Sequence, residues 1–207
     1  MNTLLITLIV AVAYMMGNIS PAIILGRLHG IDIKKEGSGN AGTTNVLRVI
    51  GKKAAVLTMV IDILKGVLAV QMGFFFGGML EDPAGSFPLG YYVGAACAIA
   101  AFCGHIWPCL YHFKGGKGVA TAFGVIVSMN WMLGLAVLGV VALGVILSKR
   151  MSVGSILGAA MFPVLCYFIE PGFVGFGIVM AIIVIVKHRA NIGRLLRGEE
   201  PKMSFKK

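Results

Sequence analysis

The segment GSGNAGTTNVLR, Gly37 to Arg48, combines residue types suited to holding an anion. Gly37, Gly39 and Gly42 can turn backbone N–H groups inward to form a phosphate-sized nest. Ser38, Asn40, Thr43, Thr44 and Asn45 add neutral donors, and Arg48 supplies a permanent cation. A second segment, FKGGKGVAT from Phe113 to Thr121, sets Gly115, Gly116 and Gly118 around Lys117 and opens a helix. Its glycines are expected to expose amides, and a helix N-terminus adds partial positive charge. A third, KHRANIGRLLRGEE from Lys187 to Glu200, spaces His188 and Asn191 three residues apart, on one helical face. Cations, amides and an imidazole are the groups needed to hold phosphates, steady an oxyanion and move a proton.

Several familiar chemistries are excluded by what these segments lack. GSGNAGTT has the outer frame of a nucleotide-binding P-loop, but Thr43 stands where the lysine belongs. There is no G-x-S-x-G elbow, no H-E-x-x-H and no His followed five residues later by Asp. Cys97, Cys103, Cys109 and Cys166 form no CxxC pair and no Cys/His cluster, so no metal site and no structural disulfide are expected.

The elements that must position these residues are read from composition. The chain has 207 residues, 58% hydrophobic and 13% charged, and its mean hydropathy is +0.92. A soluble fold of this length cannot enclose so many all-apolar helices, so the class is an all-α polytopic membrane protein. No polar segment is long enough for a second domain, and 1–207 is expected to be one membrane domain. Apolar runs fall at about 3–25, 54–79, 89–108, 119–130, 131–148, 154–169 and 173–187. The first reads as a transmembrane helix and not as a cleaved signal, because MNTLLITLIV has no basic leading region.

Charge placement decides whether 119–148 is one span or two. Seven spans with the N-terminus outside put seventeen of the eighteen Lys and Arg residues on the cytoplasmic side, leaving only Lys65 within a helix. The predicted outside loops then carry only Glu81, Asp82 and Glu170. A single span over 119–148 would place Lys149, Arg150 and the basic tail on the wrong side. Asn130 and Trp131 therefore mark a tight turn, and the C-terminus is cytoplasmic. This topology brings all three polar segments to one face. It also accounts for most of the net charge of +10, and no basic domain with interleaved aromatics points to nucleic acid.

Asp62 and Lys65 stand three residues apart inside the second span. Charges there are costly and must be paired or face the bundle interior. A buried pair locking this helix to its neighbours is expected ahead of direct catalysis. His105, near the end of the third span, is expected to be a packing or orienting residue.

The motifs GSGNAGTTNVLR, DILKG, GHIWP, FKGGKGVAT and HRANIGRLLRGEE occur in this order, and with them the chain resembles the bacterial acyl-phosphate:glycerol-3-phosphate acyltransferases over nearly its whole length. The resemblance implies a seven-helix inner-membrane enzyme whose three main motifs face the cytoplasm. Such an enzyme transfers an acyl chain from acyl-phosphate to glycerol 3-phosphate, giving 1-acyl-glycerol 3-phosphate, without acyl-CoA, acyl carrier protein or a cofactor. Its functional partner is the enzyme that makes acyl-phosphate. The resemblance also implies that Gly115, Gly116, Lys117 and Gly118 help bind glycerol 3-phosphate. Ser38 and Arg48 are essential in the first motif, His188 and Asn191 complete the site, and Glu199 is structural. Gly37, Gly39, Asn40, Gly42, Thr43, Asn45 and Thr121 fall among the substrate-binding positions. Family members often have Ala where Thr43 stands and Glu where Ala190 stands. The general base is either His188 or a phosphate oxygen of the donor. Rival readings are a transporter of small organic phosphates, for which Asp62 and Lys65 would be the intramembrane charges, and a scaffold without catalysis.

Overall fold

The computed structural model describes residues 2–80 and 88–203. Glu81, Asp82, Lys206 and Lys207, which entered the charge argument, lie outside the described residues. All regular structure among the described residues is helical. Five stretches are long and apolar enough to cross a bilayer: Asn2–Leu28, Lys52–Gly78, Leu89–Tyr111, Trp131–Ser148 and Met151–Ile169. A sixth is a pair, Pro171–Lys187 and Arg189–Leu196, bent by 59°. The remaining predicted span is Val119–Met129, only 11 residues, or about 16 Å of helix against a hydrocarbon core of about 30 Å. The expected break within 119–148 is present. Val119–Met129 and Trp131–Ser148 are separate helices, and Asn130 caps the second by accepting a hydrogen bond from the Leu133 N–H at 3.0 Å.

The chain divides into two compact units, residues 1–129 and 130–207. The first contains α1 (Asn2–Asn18), α2 (Pro21–Leu28), α3 (Thr43–Val49), α4 (Lys52–Gly78), α5 (Leu89–Ile106) and α6 (Val119–Met129). The break between α1 and α2 follows from Pro21, which forces Ser20 into an extended conformation (φ −112°, ψ 92°). The Ile23 N–H then bonds to Ser20 O at 3.1 Å, so Ile19 O loses its helical donor. That carbonyl is taken up by a side chain from α4, described below.

α1 and α5 approach closely through Gly17 and Gly104. A Cβ on Gly17 would collide with the Ala101 carbonyl, and one on Gly104 would collide with the Tyr14 carbonyl. Lipid supplies no hydrophobic drive between helices, so close backbone packing carries much of their association. The core around this crossing holds Ala13, Ala69, Val93, Cys97 and Ala101, all nearly or fully buried. Leu8, Leu64, Leu68 and Ile99 are exposed on the outer faces, where lipid replaces water.

The second unit contains α7 (Trp131–Ser148), α8 (Met151–Ile169), α9 (Val174–Lys187) and α10 (Arg189–Leu196). At the other end of α8, Asn130 Nδ2 donates to Glu170 Oε2 at 3.2 Å and joins two turns. The C-terminal segment folds back on the start of α8. Glu200, 5% exposed, accepts at Oε1 from Ser152 Oγ and Asn191 Nδ2, both at 2.7 Å, and at Oε2 from Arg194 Nε at 2.7 Å. Its carbonyl accepts from Arg150 Nε at 2.9 Å. Burial pushes the Glu200 carboxyl up, but the bonds from Ser152, Asn191 and Arg194 outweigh it and hold the group below the usual carboxylate value of 4.5.

Two outcomes test this packing. Gly17→Val inserts three carbons into a backbone contact and should cost roughly 1–3 kcal/mol, read as a thermal midpoint in detergent lowered by several degrees. Glu200→Gln should lower the midpoint at neutral pH by removing charge-assisted bonds on the order of 2 kcal/mol. A depressed folded pKa gives stability that is present above 4.5 and is lost as pH falls through the folded value. The gap between wild type and Glu200→Gln should therefore close on acidification and stay constant above pH 6; a gap independent of pH would contradict the ionised carboxylate.

Candidate functional site

The first glycine-rich segment is held from within. Asn45, in α3, is 1% exposed and fully engaged. Its Oδ1 accepts from the Ser38 N–H at 2.8 Å, and its Nδ2 donates to Ile33 O at 3.1 Å and Glu36 O at 3.0 Å. Asn45 thus shapes the loop, although its side chain was expected to offer donors to a ligand. Gly37 takes a positive φ of 59°, and a Cβ there would strike Asn45 Oδ1. Gly39, also at positive φ, donates its N–H to Glu36 O at 3.0 Å, and Gly42 donates to Asn40 O at 3.0 Å. Those amides are used in folding the loop. Ala41 and Val46 anchor it in a core with Ile33, Ala22 and Ala55. Ser38 is exposed and Arg48 half-buried in the last turn of α3.

The second segment lies along the end of α5. Gly115 N–H bonds to Ile106 O and Gly116 N–H to His105 O, both at 3.2 Å. These amides were expected to be exposed; they are paired, and the glycines serve close approach instead. A Cβ on Gly115 would collide with the His105 carbonyl. One on Gly116 would collide with His105 Nε2 and meet Ala41 O at 2.7 Å. Gly116 is thus the point where the two glycine-rich segments meet. Gly118, at φ 85°, packs on Phe102 and Ile106 and starts α6 through its carbonyl, which accepts from Ala122 N at 2.6 Å. Lys117 is half-buried between these glycines. Thr121 is completely buried, and neither its Oγ1 nor that of Thr43 has a hydrogen-bond partner among the described residues.

Behind this contact lies a buried charge cluster. Lys65 Nζ is 2.7 Å from Asp62 Oδ1, 2.7 Å from Ile19 O and 2.9 Å from His105 Nδ1. The contacts to Ile19 O and His105 Nδ1 are hydrogen bonds, and the contact to Asp62 is an ion pair whose Oδ1 has no hydrogen-bond partner among the described residues. Nδ1 of His105 then serves as acceptor, so the neutral ring carries its proton on Nε2, the atom that faces Gly116. His105 Nδ1 also lies 3.3 Å from Asp62 Oδ1. All three side chains are at most 6% exposed. The cluster joins α4, α5 and the α1–α2 break directly beneath the two glycine segments. The sequence had shown the Asp62–Lys65 spacing, but not that His105 links it to Gly116.

The turn that leads into the second segment is clasped by α1. Tyr14 Oη donates to Trp107 O at 2.7 Å and accepts from Cys109 N at 3.2 Å. Asn18 Oδ1 accepts from Leu110 N at 3.2 Å. Neither Tyr14 nor this role of Asn18 carried a motif signal.

In the second unit, His188 sits at the α9–α10 bend, 2% exposed. Its Nδ1–H donates to Val184 O at 2.8 Å, which leaves the neutral ring a lone pair on Nε2. Asn191, 6% exposed, is bonded to Glu200. Glu200 is the buried, bonded glutamate of this segment, and Glu199 is exposed and pairs with Arg197 at 2.7 Å. Adjacent carboxylates of equal type made the two indistinguishable in sequence.

A sequence profile of the glycerol-3-phosphate acyltransferase family matches residues 7–198. The glycerol-3-phosphate acyltransferase of Thioalkalivibrio sulfidiphilus is 42% identical over 206 residues, covering 98% of this chain and 96% of that protein. The one from Trichlorobacter lovleyi is 40% identical over 195 residues, covering 93% and 95%. Among solved structures, the glycerol 3-phosphate form of PlsY (YgiH), an integral membrane glycerol 3-phosphate acyltransferase, superposes with a TM-score of 0.85 at 31% identity, covering 96% of both chains. Its lysophosphatidic acid form gives 0.81 at 31% identity, covering 97% of this chain and 96% of that one. With these matches running the length of the chain and the two glycine segments meeting at Gly116 as described, the protein is a member of the integral-membrane glycerol-3-phosphate acyltransferase family.

Proposed function

We propose that this enzyme transfers an acyl chain from acyl-phosphate to the primary hydroxyl of glycerol 3-phosphate, releasing phosphate and forming 1-acyl-glycerol 3-phosphate at the cytoplasmic face of a bacterial inner membrane. The observation that carries the reading is the contact of the two glycine-rich segments at Gly116, with Arg48 and Lys117 belonging to those segments. Two segments of oxyanion-binding composition suit two phosphate-bearing substrates. Seven crossings with the N-terminus outside fit the charge distribution, and α6, the shortest helix of the proposed seven, would then cross tilted or in thinned bilayer.

Acyl-phosphate is a mixed anhydride, so no covalent enzyme intermediate is required. The hydroxyl oxygen forms the new bond to the carbonyl carbon, and the carbon–oxygen bond to phosphate breaks with its electron pair leaving on phosphate. The hydroxyl proton goes to a donor phosphate oxygen. The protein's task is then orientation and charge stabilisation, each worth orders of magnitude in rate. In this reading Ser38, Arg48 and Lys117 hold phosphate or the developing oxyanion. Gly37, Gly39, Gly42, Gly115, Gly116 and Gly118 give the backbone its path, with Asn40, Thr43 and Thr121 beside it. By the family resemblance, His188 and Asn191 also take part in the reaction. Lys65, the charge that would invite a transport reading, already has an ion-pair partner and two hydrogen-bond partners within the protein. That supports a positioning role over a cargo-binding one.

Purified protein in detergent should convert glycerol 3-phosphate to lysophosphatidate with palmitoyl phosphate and not with palmitoyl-CoA. Lys117→Ala and Arg48→Gln should each lower kcat/KM by on the order of 100-fold. Absence of product together with glycerol 3-phosphate uptake by reconstituted liposomes would establish transport instead. His188→Gln should lower the rate and leave the shape of the pH–rate profile unchanged; loss of the acid limb in that variant would make His188 the base.

A further inference from the structure

Beside the glycine-rich segments, a second group of cations, none of them assigned to acyl transfer, gathers at the surface of the first unit. Arg27 ends α2, Lys34 follows it in the loop, and both lie against the ring of Tyr111. The Arg27 guanidinium carbon is 5.6 Å from the ring centroid and Lys34 Nζ is 5.4 Å away. Lys34 Nζ also donates to Tyr111 O at 3.3 Å, and the Lys114 N–H donates to the same carbonyl at 3.2 Å. One residue therefore draws together a guanidinium, an ammonium and the backbone of a second lysine.

Among the described residues, no carboxylate forms an ion pair with Arg27, Lys34 or Lys114. Asp32, the carboxylate nearby, lies 3.9 Å from Lys35 Nζ, and its Oδ1 accepts from the Lys34 backbone N–H at 3.1 Å. The aromatic ring attracts cations without cancelling their charge. Burial holds the Lys34 ammonium below its usual pKa; Asp32 opposes this, while the positive charges of Arg27 and Lys114 deepen it. An added anion would relieve the repulsion.

The position of the cluster identifies the anion. Two apolar spans end here, the one reaching Leu28 and the one reaching Tyr111. Span ends lie at the depth of lipid phosphates, where a Tyr ring is also at home. Residues beside the cations are apolar and open: Leu28 is 75% exposed, and Leu110 and Phe113 are each 60% exposed. A free ion would have no use for such flanks, whereas acyl chains would cover them.

We propose that Arg27, Lys34 and Lys114, gathered around Tyr111, form a binding site for the phosphate of an anionic membrane lipid, separate from the residues assigned to acyl transfer. Phosphatidylglycerol is the suitable probe, since as a diacyl phosphodiester it is neither substrate nor product of the proposed reaction. The full chain, purified in neutral detergent, is titrated with dioleoyl phosphatidylglycerol and dioleoyl phosphatidylcholine and bound lipid is counted by native mass spectrometry. Wild type should bind phosphatidylglycerol in preference to phosphatidylcholine. Arg27→Gln/Lys34→Gln should weaken phosphatidylglycerol on the order of tenfold, since each cation at a lipid surface contributes comparably, while Lys52→Gln/Lys53→Gln should not. Should the double variant not fold, as judged by its elution profile, the single variants Arg27→Gln and Lys114→Gln give the same reading. Equal weakening by both double variants would overturn the proposal by reducing it to diffuse charge. Displacement of phosphatidylglycerol by millimolar inorganic phosphate would overturn the lipid assignment.

Discussion

The first unit is organised around the Lys65 ammonium. An unpaired charge at that depth would cost several kcal/mol, and here it is offset by one opposite charge and two hydrogen bonds. The three partners come from three places: the Asp62 carboxylate one turn away on α4, His105 on α5, and the Ile19 carbonyl at the α1–α2 break. Each is available for a separate reason. Pro21 and the extended Ser20 release the Ile19 carbonyl from its helix. Helical spacing delivers Asp62. The close crossing of α1 and α5 at Gly17 and Gly104 helps set the depth of α5, and with it that of His105. Loss of any of these would leave a buried donor without a partner, so the cation fixes the relative depth of three helices at once.

This depth is what the glycine segments inherit. His105 accepts at Nδ1 from Lys65 and presents Nε2 to Gly116, whose α-carbon also sits beneath Ala41 O. A buried charge network thereby reaches the loop surface through one imidazole and one missing side chain. The same end of α5 is held from the opposite flank by Tyr14 and Asn18, which bind the backbone of 107–110. The second unit uses an equivalent device of its own. Glu200 binds Ser152, Asn191 and Arg194 through its carboxylate, and so ties the segment carrying His188 and Asn191 to the start of α8.

Much of this was legible in the sequence, and the rest was not, for identifiable reasons. Hydropathy located the helices, because a helix facing lipid must be apolar over its whole length. The division at Asn130 followed from charge and is confirmed by its cap on Leu133. The Asp62–Lys65 pair was evident from spacing alone, since i and i+3 share a helical face. What spacing cannot give is a contact between distant segments. His105 is 40 residues from Lys65, and nothing in GHIWP indicates which nitrogen meets which neighbour. Residue type also does not say which polar groups hold the fold. Asn45 resembles a ligand donor, yet all three of its bonds shape the loop. Glu199 and Glu200 are chemically identical neighbours, and only the chain's return past Ser152 distinguishes them.

The glycines illustrate the same limit most directly. A run of glycine beside lysine suggests backbone amides turned toward an anion. In the second segment the amides of Gly115 and Gly116 are bonded to carbonyls of α5. Their lack of a side chain serves packing: the segment lies flat on the end of α5, where any Cβ would displace His105. Flatness has a consequence for Lys117. A residue flanked by glycines that are pinned on one side has its backbone position set. In the proposed reaction, the Lys117 cation would then start from a fixed backbone position. For chemistry that rests on orientation, a fixed backbone beneath a single cation places less demand on the sequence than a nest of amides, because one packing contact replaces several aligned donors.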